Sequence, residues 1–269
     1  FYLMKKFKSL FNHRFGPLAV LALIVFSLSF ITRIILFIIS WADLELSIFS
    51  CIGLFIIGLF YDVVVCSFFA IPVALYCWLM KDGWYQKKWN RIPLFIIFFI
   101  ITLILVINVG GEIIFWGEFN VRYNFIAVDY LVYTTEVLGN IWESYNIPLI
   151  AGAIVIAVLA IILIIRKKIY ASQQVSMRFA KRTVFFLIFM LLPLAGYFLV
   201  NNRFKNISNN NYVNELAGNG IYEFGSAFWN NEIDYDKFYA TRPVAANFKI
   251  LRRMLQAPNA TFSSNPLSV

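Results

Sequence analysis

Five long apolar runs alternate with short polar stretches along the chain. They cover Pro17–Ile39, Ile48–Leu79, Pro93–Phe115, Pro148–Ile165 and Thr183–Val200. A hydrocarbon core about 30 Å thick takes roughly 20 apolar residues in a helix, so four of the runs fit one crossing each. Three begin with Pro, which suits a first helical turn because the N–H it lacks has no helical partner there. The second run is longer. As one helix it would extend about 48 Å at about 1.5 Å per residue. Two foldings compete: a single tilted helix kinked at Pro72, or a hairpin of two short spans turning near Tyr61 and Asp62. The residues around Tyr61 lack the Asn, Pro and Gly cluster that a tight turn wants.

Charge separates the two. Lys and Arg gather in three clusters: Lys5, Lys6, Lys8 and Arg14; Lys81, Lys87, Lys88 and Arg91; Arg166, Lys167, Lys168, Arg178, Lys181 and Arg182. The polar stretches between the other ends of the runs carry mostly acids: Asp43, Glu45, Glu112, Glu118, Asp129, Glu136 and Glu143. A single second span puts every basic cluster on one side, as the positive-inside bias requires, whereas a hairpin would move two of them across. The pattern predicts an all-α polytopic membrane protein with five transmembrane helices. Its amino terminus is then cytoplasmic and its carboxyl terminus external.

Composition agrees. The 269 residues are 61% hydrophobic and 14% charged, against about 45–50% and about 25% in a soluble domain. A net charge of +9 would suggest nucleic acid in a soluble protein. Here the basic residues flank apolar runs, so anionic phospholipid headgroups are the expected partner and nucleic acid is not. Cys51, Cys66 and Cys77 share one apolar run, which argues against a disulfide framework. His13 is the only histidine, so an imidazole-built zinc site is excluded within the chain. The first apolar run is too long for a cleaved signal peptide, and no small-residue cleavage site follows it. Phosphate-loop, dinucleotide, nucleophile-elbow and zinc-protease motifs are absent from the sequence, which leaves no soluble-enzyme signature.

Two polar regions remain. The loop 116–147 carries Glu118, Arg122, Asp129, Glu136 and Glu143 at gaps of four and seven, one stripe of a helix, with Phe125, Val128, Val132 and Leu138 opposite. Glu118 precedes Arg122 by four, the favourable order for a helical ion pair. Tyr123, Tyr130, Tyr133, Trp142 and Tyr145 are aromatics of the kind that settle at headgroup level. One or two helices lying in the outer interface are expected, either as a solvated cap or with Glu118, Arg122, Tyr123 and Asp129 as a lipid-headgroup site. Inside the runs, Arg33, Asp62 and Glu112 are intramembrane charges that must face the bundle and find partners; a transport relay is the competing use. After Val200 comes an Asn-rich exit, then 213–229 with Leu216, Ile221, Phe224 and Phe228 as amphipathic turns. The stretch 201–269 is expected to be an external linker.

The run from Phe115 to Ile141, with Asn124-Phe125-Ile126-Ala127-Val128-Asp129-Tyr130 at its centre, resembles the outer loop of lipoteichoic acid synthase-like proteins, especially their Bacteroidetes-type members. These belong to the sulfatase branch of the alkaline phosphatase superfamily. Asn214–Tyr222 and Asn231–Tyr239 resemble the segment after the last span in that group. The resemblance implies a bacterial cytoplasmic membrane, five spans, and a large external catalytic domain beyond this chain. That domain would use a Thr nucleophile and a divalent metal, commonly manganese, to move a phosphoglycerol- or phosphoethanolamine-type group from a membrane phospholipid. None of its catalytic residues lies in this chain, so none is carried over. The alternative is a non-enzymatic transporter, channel or scaffold.

Overall fold

A computed structural model describes residues 11–45, 47–132, 135, 137, 139, 142–143, 146–230, 242–258 and 261–268. Five of its helices are long and apolar enough to cross a membrane: α1 (Gly16–Ile39), α2 (Ile48–Leu79), α3 (Arg91–Phe119), α5 (Ile147–Ala171) and α6 (Phe179–Leu199). Between α3 and α5 lies the short α4 (Phe125–Val132). After α6 come α7 (Asn211–Ala217), α8 (Gly220–Trp229) and α9 (Val244–Met254). The long second run is one helix with Pro72 inside it and no turn at Tyr61, which is the single-span solution that charge selected. Asn146 caps α5 by accepting the N–H of Leu149 at 3.2 Å, and Pro148 follows in the first turn, as a helix start requires.

Packing is asymmetric. Helix α1 lies against α2 and α3, α5 lies against α3 and α1, and α6 lies against α2. The α6 contact depends on Gly196. A Cβ there would meet Val64 of α2 at 2.9 Å, the kind of close approach that small residues permit between spans. The larger core cluster includes Leu21, Val25, Val65, Val73, Leu94, Phe98 and Ile101, with Ile161, Ile165 and Phe186 packed on its rim. A second cluster joins Leu36, Leu54 and Trp116 to Val213, Leu216 and Ala217 of α7. The outward faces stay apolar and exposed: Ile156, Ile164, Leu191, Phe198 and Leu199 are examples. With no soluble core to enter, such faces take lipid as their solvent.

Described members of all three basic clusters meet at one end, while Lys5, Lys6 and Lys8 lie outside the described residues. Arg14, before α1, reaches Cys77 and Asp82 after α2; Met177, before α6, donates its N–H to Asp82; Tyr85 bonds Ser172 after α5. We call this the basic end, and the opposite one the acidic end. Arg14 and Arg182 are buried here, so these two members of the clusters bind protein and not headgroups. Lys81, Lys87, Lys88, Arg91, Arg166, Lys167, Lys168, Arg178 and Lys181 are exposed.

Two expectations change. Charges 118–129 do not share one helix: α3 runs on to Phe119, Asn120 takes the left-handed conformation with φ 55°, and α4 starts only at Phe125. Asn tolerates that conformation better than most residues and ends the helix there. Nor is everything after Val200 a linker. Residues 11–229 belong to one compact unit, and 230–269 form a second. Within the second unit, Arg252 of α9 donates to the backbone oxygens of Ser263 at 2.6 Å and Ser268 at 3.0 Å, gathering the end of the chain around its own helix. Glu136, Tyr133, Leu138, Tyr145 and the 231–239 stretch lie outside the described residues.

Candidate functional site

At the acidic end the Asn-rich exit turns back. Its asparagines cap short helical pieces: Asn201 accepts the N–H of Arg203, and Asn210 that of Val213. Capping satisfies backbone donors that would otherwise be orphaned. The turn brings α7 down onto the bundle, where Val213, Leu216 and Ala217 are fully buried. Apolar positions 213, 216 and 217 lie on one helical face, so the chain has a reason to dock there.

The end of α7 is held by two buried arginines. Arg33 of α1 donates from Nε to the Leu216 carbonyl at 3.1 Å and from Nη2 to the Gly218 carbonyl at 3.2 Å. Its other N–H groups form a two-bond pair with Asp62 of α2, at 2.8 and 2.9 Å. Arg122 donates from Nε to the Glu215 carbonyl at 2.8 Å and from Nη2 to the Leu216 carbonyl at 3.3 Å, and it pairs through Nη1 with Glu112 of α3. A helix end exposes unpaired carbonyls, and cations there are favoured by both hydrogen bonding and the helix dipole. Asn219 completes the join: its Nδ2 donates to Asp62 at 2.8 Å, and its Oδ1 accepts from the N–H groups of Ile221 and Tyr222. Tyr61 and Tyr222 add hydroxyl bonds to the Asn201 and Val200 carbonyls, at 2.7 and 2.8 Å.

Glycines make room for these charges. A Cβ at Gly58 would run into the Arg33 guanidinium, and one at Gly220 into the Glu112 carboxylate. Depth makes the charges tolerable. Arg33 and Asp62 both lie about 26 Å along their helices from the basic end, at about 1.5 Å per residue. That is near the far boundary of a hydrocarbon core about 30 Å thick.

One carboxylate is in excess. Lys205 sits between Glu215 at 2.7 Å and Glu223 at 2.9 Å. Glu215 also accepts the backbone N–H of Arg122, so Glu223 is the less supported of the two acids. Burial pushes the Glu223 pKa up, with the Glu215 charge adding to the rise, and Lys205 and Arg122 opposing it. Burial likewise raises that of Tyr123, helped by Glu112.

The predicted residues therefore divide. Arg33, Asp62, Glu112 and Arg122 come together in one network. Tyr123 joins it through packing on Phe115 and Phe224. Glu118 is exposed and Asp129 half-buried. The partner of Arg122 is Glu112 on the preceding turns of α3, not the expected Glu118, because the break at Asn120 turns Arg122 back toward the bundle. Sequence reasoning missed Glu215, Asn219 and Lys205. Their signal was present in the caps and the apolar 213, 216, 217 face. Among the described residues no group of three or more His, Cys, Asp and Glu is placed to hold a metal. No family model, curated protein or solved structure matches the chain.

Proposed function

We propose that the chain is the membrane-anchoring part of an outward-facing phosphoglycerol- or phosphoethanolamine-type transferase, with the acidic end external. One observation carries this reading. The stretch whose sequence resembles the post-span segment of lipoteichoic acid synthase-like proteins, Asn214–Tyr222, is the stretch that Arg33, Arg122 and Asp62 clamp to the bundle. A clamped exit holds whatever follows it at a set height over the lipid surface. Confinement to the plane of a lipid substrate raises effective concentration without any new contact. Glu118 and Asp129, which the clamp leaves unused, are the residues assigned to headgroup contact. The metal and nucleophile belong to the domain implied beyond this chain. The two-bond Arg33–Asp62 pair supports a structural role for these charges over a transport relay.

The test is transfer by the whole gene product reconstituted with headgroup-labelled phosphatidylglycerol or phosphatidylethanolamine. Manganese-dependent loss of label from one lipid is expected, and Glu118→Gln or Asp129→Asn should lower the rate while membrane insertion stays normal. Retention of the label on both lipids contradicts the proposal.

A further inference from the structure

Helix α9 is built unlike the spans. It is strongly amphipathic and hardly apolar overall, whereas the spans are long and apolar. Val244, Phe248, Leu251 and Leu255 recur at i, i+4, i+7 and i+11, one stripe of a helix, with Ile250 and Met254 beside it. Lys249 and Arg253, four apart, share the other side.

The stripe is not buried. Val244, Ile250, Leu251, Met254 and Leu255 are exposed, and Phe248 is half-buried. The end of the chain gathers instead around Arg252, whose guanidinium lies over the Phe262 ring at 5.7 Å. Apolar surface left in water is costly in proportion to its area, so a contiguous stripe of this kind calls for a partner.

Charge selects the partner. Residues 242–269 hold four cations, Arg242, Lys249, Arg252 and Arg253, and no acid. The clamped segment differs, since Lys205 is matched there by Glu215 and Glu223. Arg252 and Arg253 stand in the last turn of α9, where the helix dipole favours cations. That does not account for Arg242, for Lys249 or for the stripe. Arg242, Lys249 and Arg253 are exposed. An apolar face backed by long cations is the arrangement of a helix lying in a lipid interface. Its apolar side sinks about 5–10 Å into the headgroup boundary, and the flexible Lys and Arg stems reach back to phosphates. A neutral surface rewards the stripe alone; an anionic one rewards both faces. The connecting chain 230–243 extends at most about 50 Å, so the spans keep α9 at high effective concentration beside the membrane.

We infer that α9 is a membrane-surface helix that binds anionic phospholipid, with its apolar stripe in the acyl boundary and Arg242, Lys249 and Arg253 on headgroup phosphates. The binding needs no transfer activity and holds for either leaflet, so its failure and that of the transferase reading are separable.

The experiment is hydrogen exchange of the 269-residue chain, one per nanodisc, in discs of phosphatidylcholine alone or of phosphatidylcholine with phosphatidylglycerol. Exchange across 245–255 should be slower in the anionic disc, by about fivefold for each cation brought to the surface. Lys249→Gln and Arg253→Gln should each give back about fivefold of that protection. Leu251→Ser with Met254→Ser, both at exposed positions, should abolish the difference between the discs. Lys167→Gln, an exposed cation of the basic end, should change nothing. Equal exchange in the two discs overturns the inference: slow in both means that protein covers the stripe, and fast in both that water does. A difference that persists undiminished when Lys249 and Arg253 are both replaced by Gln overturns it too.

Discussion

The two ends of the bundle solve the same problem with different amounts of charge. Each has buried arginines bonded to the last carbonyls of a helix. At the basic end Arg14 donates to the Cys77 carbonyl at 3.0 Å and, with Arg182, to that of Met80, closing α2. A single carboxylate, Asp82, serves both arginines, and it is 31% exposed. Arg14 also lies over the Tyr85 ring at 3.5 Å, a favourable cation–π placement. At the acidic end Arg33, Arg122 and Lys205 face Asp62, Glu112, Glu215 and Glu223, and nearly all of it is dry. The basic end ties together residues near the ends of the spans. The acidic end ties α1 and α2 to a segment 157 to 185 positions away in sequence. The lesson is that water access sets the stakes. A wet lock tolerates loss of a partner, and a dry clamp does not.

Removing a partner at each end tests this contrast. Arg33→Leu strands Asp62 in a dry site and should cost about 3–5 kcal/mol, whereas Arg33→Leu with Asp62→Leu should recover most of the loss. Arg14→Leu should cost less, about 1.5–3 kcal/mol, because it removes charged hydrogen bonds but leaves Asp82 partly in water and 3.7 Å from Arg182. Thermal unfolding in detergent ranks the three variants. Equal losses at the two ends would remove the distinction.

Glycines sharpen it by a smaller step. Gly58→Ala forces a methyl group against the Arg33 guanidinium and should cost about 1–3 kcal/mol. Gly83, at the basic end, has open space where a Cβ would go. Gly83→Ala should stay within about 0.5 kcal/mol of the wild type in the same unfolding assay.

Acidity gives the mildest test. Burial raises the Glu223 pKa in the docked state, so docking binds a proton that the free segment holds less tightly. The contribution is full below the ordinary carboxylate range and is lost as pH rises through the raised value. Docking should therefore tighten in acid, and Glu223→Gln should remove that dependence. Protease cleavage within 211–229, followed against pH, measures it. A segment that loosens in acid would reverse the sign.

The spans were legible because lipid imposes a simple rule on long apolar runs, and the charge clusters chose one helix over a hairpin for Ile48–Leu79. The basic end was half legible. Clustering located Arg14 and Arg182, but not their inward bonding, which depends on where α2 stops at Leu79. The acidic end was least legible. Arg33, Asp62, Glu112 and Arg122 stood out as charges needing partners. Their pairing depended on a left-handed Asn120 and on a return of the chain after Val200, both of which are tertiary choices. An Asn-rich stretch reads as a loop by composition, yet Asn201 and Asn210 act here as caps that start the segments leading back.

Hydrogen exchange across 211–223 tests the clamp most directly. The account predicts slow exchange for this segment in the wild type, close to that of the spans, and fast exchange in Arg33→Leu with the spans still protected. Fast exchange of 211–223 in the wild type would contradict it.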